Sequence, residues 1–237
     1  MDDFLFFGGY PGAASLKNDE HRWAQYIGNS IVEPTLSQDI FLMQEVRKPA
    51  LLTSLFKLGA IYSSQELSYT KILGQLQDAG NTVTLAHYLD LLDKANVLCD
   101  LQKFSSNKLK VRQSSPRFLV YDTSLMTYSD GASRKRFLEF PDARGHLIES
   151  AIGAYLLARS KEEGFEVFYW RERNEEVDFI LQKGKSLTAI EVKSGRIKGI
   201  GGSLAFKKLH PSALSLIIGG PDISLENFLL GKIDLFY

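Results

Sequence analysis

The stretch "NEEVDFILQKGKSLTAIEVKSG", Asn174 to Gly195, constrains the fold more than any other part of the chain. Its apolar residues alternate on either side of Gly184-Lys185, the pattern of two strands joined by a tight turn. With Gly184 leading a two-residue type II′ turn, Lys183 pairs with Ser186. Counting outward then sets Asp178 opposite Glu191. Because strand side chains alternate faces, Val177, Phe179 and Leu181 are expected on one side and Asp178 and Ile180 on the other. On the return strand Ala189, Glu191 and Lys193 share the face opposite Ile190 and Val192. A one-residue change in the turn would undo this register.

Two carboxylates directly opposed on a sheet repel by up to about 1 kcal/mol unless something neutralises them. A divalent cation would do so, and hard oxygen ligands with no histidine or cysteine nearby suit Mg²⁺ or Mn²⁺. Lys193 beside them can stabilise an anionic phosphoryl transition state or orient an attacking hydroxide. The group is suited to hydrolysing a phosphodiester. A third acid, Glu149, lies at the edge of the apolar stripe of "GHLIESAIGAYLLARSKEEG", a helix expected over 145–164 and ended by Gly164. An acid against a core calls for a partner, which the metal or Lys193 would supply. In the alternative, Glu149 pairs with an arginine, and Asp178, Glu191 and Lys193 form a solvated salt-bridge ladder.

Upstream, the first 50 residues open on the turn cluster "GGYPG" and continue as helices interrupted at Pro34. Three short helices follow: one starting at Pro49, one stopped by Gly80 and one opening near Thr82. "CDLQKFSSNKLKVRQ" then gives two short runs about a polar turn, which completes the order of a winged helix. The third helix offers Asn81, Thr82, Thr84 and His87 for reading DNA, with Lys103, Lys108, Lys110 and Arg112 on the wing. It also carries Asp90 and Asp93 against one Lys94, so an interdomain or protein-binding role stands level with DNA binding. From "PRFLVYDTSLM" onward the pattern is α/β. "FEVFYW", "EVDFILQ", "SLTAIEVK", "ALSLIIGG" and "KIDLF" read as strands, with "GSLAFKKLH" a helix between the third and fourth.

The 28 basic and 28 acidic residues cancel, so attraction to nucleic acid must come from local patches. Arg171, Arg173, Arg196, Lys198, Lys207 and Lys208 lie near the acids and suit phosphate contacts. One cysteine excludes an intrachain disulfide and points to a reducing, cytoplasmic setting. No run of apolar residues is long enough to span a bilayer, so no membrane partner is expected. The phosphate-cradling G-x-x-x-x-G-K-[ST] loop is absent from the sequence, so no nucleotide cofactor or ATP hydrolysis is expected.

Glu149 on a helix, then Asp178, then Glu191-Val192-Lys193 resembles the PD-(D/E)XK, restriction-endonuclease-like nucleases. "GHLIE", "YWRERNEEVDFIL" and "AIEVKSG", with "GGYP", "QDIF" and "YDTSLM" upstream, are similar to the C-terminal half of a prokaryotic group of AAA-type ATPases. The resemblance implies Asp178 and Glu191 as metal-binding acids, Lys193 as the catalytic lysine and Glu149 as the helix acid. It implies three parts: an ATPase-adjacent helical remnant over 1–50, a winged helix over 51–113 and a nuclease-like α/β domain with a central mixed sheet over 114–237. The ATPase module that precedes "GGYP" in that group is absent, so the chain is expected to be a C-terminal piece without ATPase activity. Three functions follow as expectations: a metal-dependent DNA nuclease, a non-catalytic DNA-binding module, or a protein-interaction module that docks with an ATPase.

Overall fold

The computed structural model describes residues 1–77, 80–105, 114–194 and 201–236. The chain starts with helix α1 (Asp2–Phe7), a tight turn over Pro11–Leu16, and α2 (Glu20–Tyr26), whose first turn is capped by Asp19 accepting from the Arg22 N–H. The expected interruption at Pro34 takes a milder form. A proline has no N–H to donate and its ring crowds the carbonyl four residues back. The backbone answers by opening into wider π-type turns over Ile27–Val32 and Thr35–Asp39 and reaches α3 (Ile40–Met43) without leaving the helical region.

Helices α4 (Pro49–Ile61), α5 (Tyr69–Gln75) and α6 (Thr82–Lys94) follow. α5 ends at Gln75, ahead of Gly80. Strand β1 (Leu98–Leu101) pairs antiparallel with β2 (Arg117–Val120), Leu98 against Val120. β1 then runs on to the larger sheet. Its continuation through Lys103 bridges Tyr169, with the Phe104 N–H donating to the Tyr169 carbonyl at 2.7 Å. Two of the blocks that carry the ATPase resemblance meet here. Asp122, which caps α7 (Thr123–Asp130), also accepts from the Gly9 N–H at 2.7 Å. Gly8 has φ +78°, and a Cβ there would lie 1.9 Å from Asp122 Oδ1, so "GGYP" and "YDTSLM" are locked together through the Asp122 carboxylate.

After α8 (Arg134–Glu139), the long helix α9 (Pro141–Glu163) ends at Gly164 in the left-handed conformation, as its sequence demands. Strands β3 (Glu166–Glu172), β4 (Glu175–Lys183), β5 (Ser186–Val192) and β6 (Leu214–Ile218) form one sheet in that order. The first three are antiparallel. Helix α10 (Gly201–Leu209) lies between β5 and β6 in sequence, and β6 runs parallel to β5, which makes the sheet mixed. "KIDLF" is no strand. A short helix, α11 (Leu225–Leu229), precedes it, and Leu235 plugs the core while its carbonyl accepts from the Thr188 hydroxyl.

Buried side chains from Leu5 to Leu235 make one continuous core, in which Leu147, Ile148, Ile152 and Leu156 of α9 meet Phe118, Phe179 and Ile190. A smaller cluster of Trp170, Val177, Ile180, Ala189 and Phe206 lies under α10. The sheet is thus covered by α9 on one face and α10 on the other, an α/β architecture. No helix among the described residues is long and apolar enough to cross a membrane.

Candidate functional site

The β4–β5 register is the one the turn dictates. Lys183 faces Ser186, and the pairing continues at constant offset to Phe179 and Ile190. Gly184 leads the turn with φ +59°. Beyond Phe179 the regular alternation fails. Phe168 pairs with Ile180 but Trp170 with Val177, so β4 carries one extra residue against β3. This bulge turns Val177 away from Phe179 and Leu181 and into the cluster under α10. The expectations that Val177, Phe179 and Leu181 share a face, and that Asp178 shares one with Ile180 directly opposite Glu191, are therefore corrected: the β4–β5 ladder ends at Phe179 and Ile190. Bulges bend a strand and re-aim side chains, and here the re-aimed residue is Asp178.

Asp178 is drawn toward β2 and α9. Its Oδ2 accepts from the Val192 N–H at 2.8 Å, and its Oδ1 lies 3.7 Å from Arg117 Nη1, which also donates to the Asp178 carbonyl at 3.3 Å. Arg117 is 4% exposed. Its Nη2 lies 3.3 Å from Glu176 Oε1 and 3.8 Å from Glu66 Oε1, and its guanidinium stacks over the Tyr169 ring at 5.1 Å. Arg171 closes the network at 3.0 Å from Glu66 and 3.7 Å from Glu176. Burial pushes the Asp178 carboxyl up, Arg117 and the Val192 N–H pull it down, and Glu176 and Glu191 push it up again.

Glu149 joins this group from α9. Burial, and then the charge of Asp178, raise its carboxyl to about 8, against the opposing pull of Arg117 and a hydrogen bond with Ser64. Beside it, His146 Nδ1 lies 2.8 Å from the Ser64 hydroxyl and 3.9 Å from Glu149. Burial lowers the His146 pKa, with Asp142 raising it and Arg117 lowering it further.

Glu191 belongs to a second pairing. It is 4% exposed, its Oε1 accepts from the Ser203 N–H at 2.6 Å and its Oε2 from Lys193 Nζ at 2.8 Å. Ser203 is in the first turn of α10, where unpaired N–H groups and the helix dipole favour an anion. Gly202 makes that approach feasible, since a Cβ would lie 1.7 Å from the Glu176 carbonyl. The four expected site residues therefore adjoin one another as two pairs: Glu149 with Asp178 around Arg117, and Glu191 with Lys193 at the start of α10.

These residues do not fit a divalent cation as they are folded. Both oxygens of Asp178 and both of Glu191 face protein donors. No group of three or more His, Cys, Asp or Glu side chains that could hold a metal ion occurs among the described residues.

The expected nucleic-acid contacts are scattered. Arg171 is engaged by acids, Arg173 occupies the β3–β4 turn with φ +54°, and Lys207 and Lys208 are exposed in the last turn of α10. Lys103 is tied to β3 through its backbone. Lys108, Lys110, Arg112, Arg196 and Lys198 lie outside the described residues. On α6, Asn81 serves as the N-cap, accepting from the Thr84 N–H at 2.9 Å, and Lys94 is paired with Asp90 at 2.7 Å. Reading by motif missed Arg117, Glu66, Glu176, Ser64, His146 and Ser203. Only Arg117 left a trace, as a lone charge in the apolar run "PRFLV".

Comparison with known families places two matches on the chain. Residues 144–221, from α9 through β6, match the Domain of unknown function DUF4143, which is typically found at the C-terminus of AAA-ATPase-associated proteins. No curated protein and no solved structure matches the chain. Residues 1–136 match a second family, described as "Domain of unknown function (DUF8612)". Since that match takes in more than half of the chain, the protein belongs to the DUF8612 family.

Proposed function

We propose that this chain is a protein-interaction module that works with an AAA-type ATPase, built on a nuclease-like α/β half whose acids no longer cleave. The observation that carries this reading is the commitment of the acids: Asp178 faces Arg117 and the Val192 N–H, and Glu191 is held by Lys193 and the Ser203 N–H. A nuclease of this kind needs carboxylate oxygens free for a cation and a lysine free for the phosphate. The balance of charge points the same way. α6, the helix that would enter a DNA groove, exposes Val83, Ala86 and Asp90, and its one lysine is paired. A protein surface suits such a face better than a phosphate backbone does.

A metal-dependent DNA phosphodiesterase is the second reading, favoured by one observation. Burial, with the charge of Asp178 adding to it, raises Glu149 to about 8 despite the pull of Arg117, so two neighbouring carboxyls share an interior that a bound cation would also suit. Incubating the purified chain with single- and double-stranded DNA in Mg²⁺ or Mn²⁺, beside Lys193→Ala and Asp178→Ala, decides between the two. The interaction reading expects background cleavage, equal in all three. Cleavage by the natural chain that disappears in Lys193→Ala overturns it.

A further inference from the structure

We infer that the Arg117 guanidinium holds the place of a divalent cation, so that replacing it with an uncharged side chain creates a Mn²⁺ or Mg²⁺ site among Asp178, Glu176 and Glu66, the acids it faces, that the natural chain lacks. The inference rests on the reading that the acids are not catalytic, and it identifies what took over their neutralisation.

The geometry around Arg117 is that of a central charge. A guanidinium that recognises one carboxylate does so with two parallel N–H bonds to its two oxygens. Arg117 does otherwise. Its Nη1 faces Asp178 Oδ1 at 3.7 Å and the Asp178 carbonyl at 3.3 Å, while Nη2 faces Glu176 at 3.3 Å and Glu66 at 3.8 Å. Its Nε is buried with no hydrogen-bond partner. One buried cation is thus shared among three carboxylates, two from β4 and Glu66 from the link between α4 and α5, with a fourth, Glu149, close enough for its charge and that of Asp178 to act on one another. The set is all oxygen, without histidine or cysteine ligands of the kind zinc prefers, and oxygen sets of this kind select hard cations.

Its origin also matters. Arg117 enters from β2, whose other residues, Phe118, Leu119 and Val120, are fully buried and apolar. The surrounding acids come from β4, from α9 and from the link between α4 and α5. While the guanidinium occupies the centre, no three acids can close on one ion, in keeping with the absence of such a group among the described residues. Methionine in its place keeps much of the stem volume and removes the charge. With only the half-exposed Arg171 left beside Glu66 and Glu176, the acids must then protonate, repel or take up a cation from solution.

The experiment compares the natural chain, Asp178→Asn, Arg117→Met and Arg117→Met with Asp178→Asn, using Mn²⁺ electron paramagnetic resonance titration and thermal melts with and without millimolar Mn²⁺. The natural chain is expected to bind no Mn²⁺ and to melt at the same temperature in its presence. Arg117→Met is expected to melt lower, to bind one Mn²⁺ per chain and to regain several degrees when it does. The added Asp178→Asn removes both effects. The inference is overturned if the natural chain binds Mn²⁺ and Asp178→Asn abolishes it, or if folded Arg117→Met takes up none. Should Arg117→Met fail to fold alone, refolding with Mn²⁺ supplies the readout: recovery only with the metal supports the inference, and failure in both conditions overturns it. Lys193-dependent DNA cleavage by the natural chain would sink the interaction reading by a separate route. Absence of Mn²⁺ uptake in Arg117→Met would leave that reading standing.

Discussion

Burial and the charge of Asp178 raise the Glu149 carboxyl from 4.5 to about 8, which makes its protonation part of the folded state's stability. A carboxyl with a higher pKa folded than unfolded binds its proton more tightly when folded. Its contribution is therefore complete below about pH 4.5 and is lost as the pH rises toward 8. Melting temperatures measured across that window should fall with pH, and Glu149→Gln should flatten the fall. An unchanged slope in Glu149→Gln would place the dependence elsewhere. Arg117 has the opposite character, a fixed charge whose removal strands its partners. Breaking a buried ion pair from one side costs about 3–5 kcal/mol, so Arg117→Met in metal-free buffer should lose stability of that order in urea unfolding. A loss below about 1 kcal/mol would show the cluster to be solvated. Glu191 and Lys193 were legible in the sequence because strand alternation and one turn fix their place on the return strand, whereas Asp178 was legible as a residue of the hairpin but not in its aim, which the bulge sets. Arg117 was not, because its partners lie far away in the chain and only the folded core brings β2 beside β4.

At the scale of elements, the turn and the bulge have different visibility. Gly184 announces a type II′ turn because few other residues accept its φ of +59°, so the pairing of Lys183 with Ser186 follows from local chemistry. The bulge in β4 depends on how β3 and α10 pack against it, and no residue in "NEEVDF" demands it. Misreading one inserted residue exchanges faces for everything beyond it, which is why Val177 went astray while Phe179 did not. Helix α10 docks through Gly202 against the Glu176 carbonyl, and this contact presents the Ser203 N–H to Glu191. Gly202→Ala should lift the helix and cost about 1–3 kcal/mol. Hydrogen exchange should report faster opening at Ser203 than at Ile190; equal protection would mean that the docking tolerates a methyl group. Asp122 and Gly8 form a comparable joint at the other end of the molecule. Gly8→Ala, strained by its positive φ as well as by the Asp122 contact, should destabilise by more than about 1 kcal/mol.

Across the whole molecule, the family boundaries fall between residues 136 and 144, yet the core does not divide there. Leu119 of β2 closes on Gly153 of α9, where a Cβ would stand 2.5 Å from its methyl groups. Asp2 and Asp3 reach Arg144 and Arg134. Calorimetry of the intact chain should therefore give a single cooperative transition, and a 1–136 fragment should melt broadly, having lost the helix that covers β2. Two resolved transitions in the intact chain would contradict this.

The continuation of β1 along β3 bears on how the chain reaches its native state. The β4–β5 hairpin joins neighbours and can zip within microseconds. The Phe104–Tyr169 contact must instead close a loop that contains β2 and all of α9, so it is an entropically late event. Until it closes, the outer edge of β3 offers unpaired N–H and carbonyl groups to any extended chain nearby. The segment at Phe104 thus does for a finished molecule what a chaperone must do for an unfinished one: it keeps the sheet from recruiting a stranger.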